Sequence, residues 1–494
     1  MGLEGSIMVF VSEFEGYALL ALFGVAMLLI TWFFTRKNSK TEEGFLVAGR
    51  KISWLIGAPS IAASWLWAPA LFISVQVSYE MGLPGLFWFT FPNIIALALF
   101  YFLAPKIREL LPEGYTLPQW IKYRLADEKV HKVYMFPFFL YQLMAVAVQL
   151  FVGGNLVSII TGIPLEISMV LLGIIGLSYS LISGLKASMI TDYVQLGVLF
   201  LGLLIVVPLA LGSAGGITAM NLGGLANNTN IFDPMVAFSY GIVTSIGLIA
   251  GAVSDQQYWQ RSFAIKKNDL KKSFVVGALL FGIIPIALST LGFLAANPAL
   301  GISLPVGVDA SMIGVVAVAN LLSPVILLIF VVMLLAGLSS TLDSGLLAGA
   351  SLYTVDWKNE TNDKKAIKTA RLSMVGFTIA GLLVGFLAIN IEGFGLAQLW
   401  WIFNTIAASV LVPTILSLYW NKLSAKGVFW GVTISFIIGI PLFVYGNIIG
   451  NTLLIVASSL GIVGISTVFC YLYANKTEWV PPKEKTEIKF KWPT

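Results

Sequence analysis

Runs of about 20 apolar residues recur almost without pause from residue 16 to residue 473, and this repetition constrains the fold more than any other feature. Inside a bilayer no water is available to hydrogen-bond a free amide, so each run has to satisfy its own backbone as a helix. The chain of 494 residues is 58% hydrophobic and 11% charged, with a mean hydropathy of +0.90. No polar stretch is long enough to fold as a separate soluble domain. The class is an all-α polytopic membrane protein.

Runs of bilayer length predict about 13 transmembrane helices, at 16–34, 53–79, 82–105, 133–161, 164–184, 188–212, 234–255, 273–296, 318–350, 372–391, 395–420, 427–447 and 450–473. Charge tests this division. With the N-terminus outside, the inward segments are 35–52, 106–132, 185–187, 256–272, 351–371, 421–426 and 474–494, and they hold all 29 Lys and Arg residues. That is the positive-inside rule obeyed throughout, and one missed span would invert every later loop. The net charge of +5 is therefore topological, and nothing points to a nucleic acid. The leader with Glu4, Glu13 and Glu15 lacks the basic start and cleavage site of a signal peptide, so the first run reads as a retained anchor. Asn227, Asn228 and Thr229 form a glycosylation sequon in an outer loop, and the 474–494 tail reads as a solvated tether. The single cysteine, Cys470, permits no internal disulfide, and the single histidine, His131, leaves no His-based metal cluster or Ser/His pair.

Two spans carry polar anomalies. In the ninth, Gly337, Ser340, Thr341 and Ser344 follow the i, i+3, i+4, i+7 spacing of one helix face, with Asp343 beside it. Small residues and hydroxyls also let helices pack closely, but the added carboxylate favours an oxygen-lined cation site. Asp192, early in the sixth span, is a second intramembrane acid. No Lys or Arg is expected within the spans, so each acid should take up a proton or hold a cation. In the second span Pro59 and Pro69 bracket Ser60, Ala62, Ala63, Ser64, Trp65 and Trp67. A helix broken there frees carbonyls at mid-membrane. The second and seventh spans run in opposite directions, which permits an inverted repeat of residues 53–212 and 213–421, flanked by 1–52 and 422–494.

The stretches EEGFLVAGRK, SGLKASMITDYVQ, SDQQYWQRSFAIKK and GLSSTLDSGLLAGASLYTVDW, in that order, resemble the sodium:solute symporter family from about residue 41 to the eleventh span. The resemblance implies a LeuT-type fold, with spans two to eleven as two inverted five-helix repeats, one helix before them and two after. It implies a Na+ site made of the Ala63, Leu66 and Gly337 carbonyls and the Ser340 and Thr341 hydroxyls. Asp192, Asp343, Ser344 and Ser340 match the place of a possible second cation. Its central solute pocket would draw on Ser64, Trp65, Trp67, Phe87, Trp88, Gln142, Thr244, Ser245, Gln398, Trp401 and Asn404, a set without charge. The sugar-transporting branch carries an acid about where Trp88 falls, whereas SWLWAP and FWF are similar to the urea branch, with proline-type transport of comparable weight.

The expected function is Na+-coupled symport of a small neutral or zwitterionic solute, urea-like or proline-like, across the plasma membrane, by a monomer whose C-terminus is cytoplasmic. Alternatives are proton coupling on the same fold, a sugar or monocarboxylate substrate, or a passive channel. An enzyme is disfavoured, because no nucleophile and base pair is evident within the spans.

Overall fold

The computed structural model describes residues 10–35, 41–391 and 395–481, without the side chains of Ala226 and Asn227. Glu4, the tail beyond residue 481 and the sequon side chain at Asn227 lie outside the described residues. Among those described the protein is helical throughout, and an isolated bridge joins Ile52 to Ile265.

In chain order the helices that matter are α1 (Glu13–Thr35), α2 (Trp54–Ser64), α3 (Ala68–Met81), α4 (Leu83–Leu110), α5 (Leu117–Leu125), α6 (Glu128–Thr161), α7 (Leu165–Ser180) and α8 (Leu185–Ser213). They continue with α9 (Pro234–Ser254), α10 (Gln256–Ala264), α11 (Leu270–Ala295), α12 (Ile313–Leu321), α13 (Pro324–Ser351), α14 (Asp363–Ile389), α15 (Leu396–Tyr419), α16 (Ala425–Ile448) and α17 (Thr452–Leu472). Among the described residues 11 helices are long and apolar enough to cross a membrane, and 12 spans result when α2 and α3 count as one bent span. The run expected at 164–184 is α7, an apolar helix of 16 residues and shorter than the others, so length alone supports 12 of the 13 expected spans.

Local sequence explains where these helices begin and end. Asp127 accepts hydrogen bonds from the amides of Lys129 and Val130 and so starts α6, and Gly162, at φ 76°, ends it in the left-handed conformation that glycine adopts without strain. The bend of 58° between α2 and α3 falls at Trp65 to Trp67. Pro59 is absorbed inside α2, while Pro69 occupies the first turn of α3, where its missing amide costs nothing. Trp67 is extended, and the buried start of α3 is closed by Gln149 Oε1, which accepts from Ala68 N at 3.0 Å. The long helix α11 lies along both halves of the break. A methyl group added at Gly292 would meet Val75 O at 2.2 Å and one at Gly277 would meet Ala58 O at 3.0 Å, so glycine is what allows this approach.

The loops expected on one side hydrogen-bond to one another. Arg50 Nη1 donates to Gly114 O at 2.8 Å, Arg108 Nη1 to Phe263 O at 3.0 Å, and Gln260 Nε2 to Leu46 O at 2.7 Å. His131 Nε2 lies 2.9 Å from Asp356 Oδ1, whose other oxygen accepts from Thr116 Oγ1 at 2.6 Å. These segments form one basic face. On the opposite face Leu83 N donates to Asn228 O at 3.0 Å and Asn297 Nδ2 to Ala219 O at 3.0 Å.

Candidate functional site

The polar face of α13 meets the break of the bent span. Thr341 Oγ1 lies 3.4 Å from Ala63 O and 3.4 Å from Gly337 O. The second contact is ordinary back-bonding within a helix, whereas the first crosses from α13 to the last turn of α2. Ala63 O also accepts from Leu66 N at 3.1 Å, which holds Leu66 at the same turn. Ser340 Oγ donates to Asp192 Oδ1 at 2.5 Å. All of these residues are buried.

Asp192 corrects one expectation. The absence of a basic residue inside the spans suggested an unpaired acid, but Arg261, on α10, folds back from the basic face and is fully buried beside it. Its Nη2 donates to Asp192 Oδ2 at 2.9 Å and to Ser344 Oγ at 2.8 Å, and its Nε to Ser60 Oγ at 2.9 Å. Ser60 Oγ in turn donates to Asp192 Oδ2 at 2.6 Å. A guanidinium thus already sits between Asp192 and Ser344, where a second cation was expected. Its planar fork suits this task, since it engages three side-chain oxygens on α2, α8 and α13 at once. Asp343 is placed differently. Ser183 Oγ approaches its Oδ1 at 3.4 Å, and its Oδ2 has no hydrogen-bond partner.

Above this core an aromatic cavity of about 20 Å³ is lined by Trp65, Trp67, Phe89, Asn93, Tyr141, Leu248, Trp400 and Asn404, with Pro69 and Ala70. Trp67 stacks on Phe403 at 5.2 Å and meets Tyr141 at 5.2 Å, and Trp65 Nε1 donates to Asn93 Oδ1 at 2.6 Å. The lining carries amides, indoles and a phenol but no charge. A larger groove of about 450 Å³ between α6 and α14 is walled by residues such as Phe136, Phe139 and Phe377, and its one serine, Ser373, donates to the Ala370 carbonyl.

Of the residues expected around a solute, Trp65, Trp67 and Asn404 line this cavity. Thr244 is buried with its hydroxyl unpartnered, and Ser245 beside it is half-buried. Ser64 lies in the core, but its hydroxyl is turned to Ser60 O. Gln142 points below the cavity, where its Nε2 donates to Asp255 Oδ1 at 3.1 Å. Trp88 packs over Gly241 of α9, and Phe87 stacks on Phe91 and meets Phe232 edge-on on the opposite face. Gln398 is exposed and caps α15 through Gly395 N at 3.0 Å. Trp401 packs beside Val243, Phe443 and Ile455, outside the cavity. Trp400, one residue earlier and so about 100° around the helix, takes the inward place. Sequence reasoning passed over Arg261, Asn93, Tyr141 and Gln149, and named Ser60 only as part of the break in the second span. For Gln149 a signal existed, since it follows Gln142 by two turns on the same face of an apolar span.

The family profile described as "Sodium:solute symporter family" matches residues 45–435. The chain is 24% identical over 474 residues to the urea-proton symporter DUR3 of Oryza sativa subsp. japonica, covering 87% of this chain and 65% of the rice protein. It is 25% identical to the urea active transporter of Saccharomyces cerevisiae, over 82% of this chain and 59% of that one. The osmoregulated proline transporter OpuE of Bacillus subtilis matches at 24% identity, over 85% and 86% of the two chains. The chain thus spans less than two thirds of the length of the rice and yeast relatives. Among solved structures, a Na+-coupled sialic acid symporter in a substrate-bound outward-open state superposes with a TM-score of 0.76 at 18% identity, over 94% of this chain and 99% of that one. MhsT in complex with L-phenylalanine gives 0.51 at 15% identity, over 86% and 99%. The fold is the LeuT type shared by such transporters.

Proposed function

This chain belongs to the sodium:solute symporter family, and on that premise we propose that it couples the entry of Na+ to uptake of a small neutral or zwitterionic solute by alternating access. One observation carries the reading. The Thr341 hydroxyl of α13 stands 3.4 Å from the Ala63 carbonyl at the break of the bent span. A hard cation takes several oxygen ligands, and broken-helix carbonyls with hydroxyls supply them. The cation site of this proposal comprises the Ala63, Leu66 and Gly337 carbonyls with Ser340 and Thr341. An ion there ties α2 to α13, and it shifts the equilibrium between outward and inward states only by its different affinity for the two. Solute and ion then raise each other's affinity by the same factor.

The uncharged lining of indoles, amides and a phenol, rather than the water-sized volume of the cavity, supports a small flat neutral solute of urea type. The names of the rice, yeast and Bacillus relatives accord with urea or proline. In this reading residues 53–212 and 213–421 are the two inverted repeats, the protein sits in the plasma membrane, and its basic face is cytoplasmic.

The test is uptake of labelled urea and proline into proteoliposomes under an inward Na+ gradient, with choline replacing Na+ as control. Accumulation of one solute that requires Na+ supports the proposal, and accumulation indifferent to every ion gradient refutes it. A second reading, proton coupling, is favoured by the free oxygen of Asp343 and by the proton coupling in the rice relative's name. It requires uptake driven by a pH gradient in the absence of Na+.

A further inference from the structure

A second group of buried polar residues lies against the aromatic cavity, on the side of the basic face, and neither the cation site nor the cavity uses it. Asp255 caps α10, its Oδ1 accepting from Gln257 N at 2.9 Å and from Gln142 Nε2 at 3.1 Å. Its Oδ2 has no hydrogen-bond partner, and neither do Gln142 Oε1, Gln257 Oε1, Gln257 Nε2 or the Tyr258 hydroxyl. All four side chains are fully buried. Native interiors pair nearly all such atoms, so an unpaired set contributed by α6, α10 and the residue that joins α9 to α10 marks a place that something else completes.

The set connects to the cavity. Tyr258 meets Trp65 edge-on at 5.2 Å and Tyr141 meets Trp67 at 5.2 Å, so two tyrosines separate the tryptophans from Asp255. On α9, Thr244, Gly247 and Gly251 share one face, and Asp255 follows at the extended residue that ends the helix. A methyl at Gly251 would lie 2.6 Å from the Tyr141 hydroxyl and 2.8 Å from Asn404 Oδ1, so this face is glycine edged by polar groups from cavity to carboxylate. At Gly345 of α13 an added methyl would find its nearest atoms at 3.6 to 3.9 Å, Gln257 Nε2 among them, which leaves methyl-sized room beside the free amide.

We propose that Asp255, Gln142, Gln257 and Tyr258 form an inner solute station, where a small neutral solute rich in N–H donors pauses between the aromatic cavity and the basic face. The inference rests on the solute-symport reading above. Three free acceptors, one free amide donor and one hydroxyl complement a urea-type amide, which offers several N–H groups and a single carbonyl. A metal ion suits the place less well. Arg261 Nη1 donates to Gln257 O at 3.2 Å, which brings a fixed positive charge to the neighbouring turn, and no group of three or more His, Cys, Asp or Glu able to hold a metal exists among the described residues.

The test uses labelled urea and the full chain in oriented proteoliposomes, with half-saturation measured separately from each face. Tyr258→Phe and Gln257→Leu remove groups that make no hydrogen bond in the structure, so thermal stability should hold. Asp255→Asn keeps the helix cap. Each variant should raise half-saturating urea at the basic face by about fivefold or more and at the opposite face by less than about twofold. Equal shifts at both faces, or no shift while the wild type carries urea, overturn the station and leave the symport reading standing. A wild type that moves neither urea nor proline sinks both. Should Asp255→Asn fail to fold, the other two variants decide.

Discussion

Asp192 and Asp343 are buried in the same helical core and held in opposite ways. Asp192 accepts from Arg261, Ser60 and Ser340, so both oxygens are engaged and its charge is matched. Asp343 lies beside the Ser180 and Ser188 hydroxyls, with a long contact to Ser183 and one oxygen that makes no well-formed hydrogen bond. A matched buried pair behaves as framework, because removing either partner strands the other charge. A carboxylate with an open oxygen remains able to take a proton or a cation. Partners, rather than residue type, separate the acid that is fully engaged from the one that keeps an open oxygen.

The comparison breaks first at Arg261. Arg261→Ala should cost about 3–5 kcal/mol by leaving Asp192 unpaired, and Arg261→Ala with Asp192→Asn should recover part of that loss. Thermal unfolding of the purified protein measures both, and a single variant as stable as the wild type would erase the distinction. Asp343→Asn should leave melting nearly unchanged but raise the half-activating cation concentration about tenfold, as the loss of one charged contact implies. Activation curves for Na+ and for protons, run side by side, show which ion the carboxylate serves.

Smaller effects sharpen the picture. Thr341→Ala and Ser340→Ala should weaken cation activation by about three- to tenfold while changing apparent solute affinity less at saturating cation. Unaltered Na+ dependence in these variants would remove the proposed site. Glu42, outside the spans, is a mild counterpart of the unmatched acid. Burial, with Asp363 and then Glu360 nearby, pushes its carboxyl up from 4.5 to about 7. A raised carboxyl favours the protonated folded state, so its contribution is full below about 4.5 and is lost as pH rises through about 7. Glu42→Gln should therefore melt slightly higher than the wild type at pH 8, with the gap closing by pH 4 in a melting series.

Much of the candidate site's local geometry was legible because it is local. A hydroxyl face at helical spacing in α13 and a small-residue break flanked by proline are properties of a few consecutive residues, and both lie where the sequence predicts them. The aromatic cavity was only partly legible. Asn404 and two tryptophans line it, yet Gln398 caps a helix and Trp401 yields to Trp400, since one residue turns a side chain by about 100° and a run apolar all round gives no sign of which face turns inward.

Apolar periodicity determined the membrane class and most of the succession of spans, because burial in lipid acts on each segment by itself. The fate of Arg261 was decided only by tertiary structure. Its segment is polar and charged, and nothing in ten residues says that α10 tucks its arginine between α2, α8 and α13. That position exists because Asp192, Ser60 and Ser344, drawn from three distant helices, converge to replace the water the guanidinium gives up.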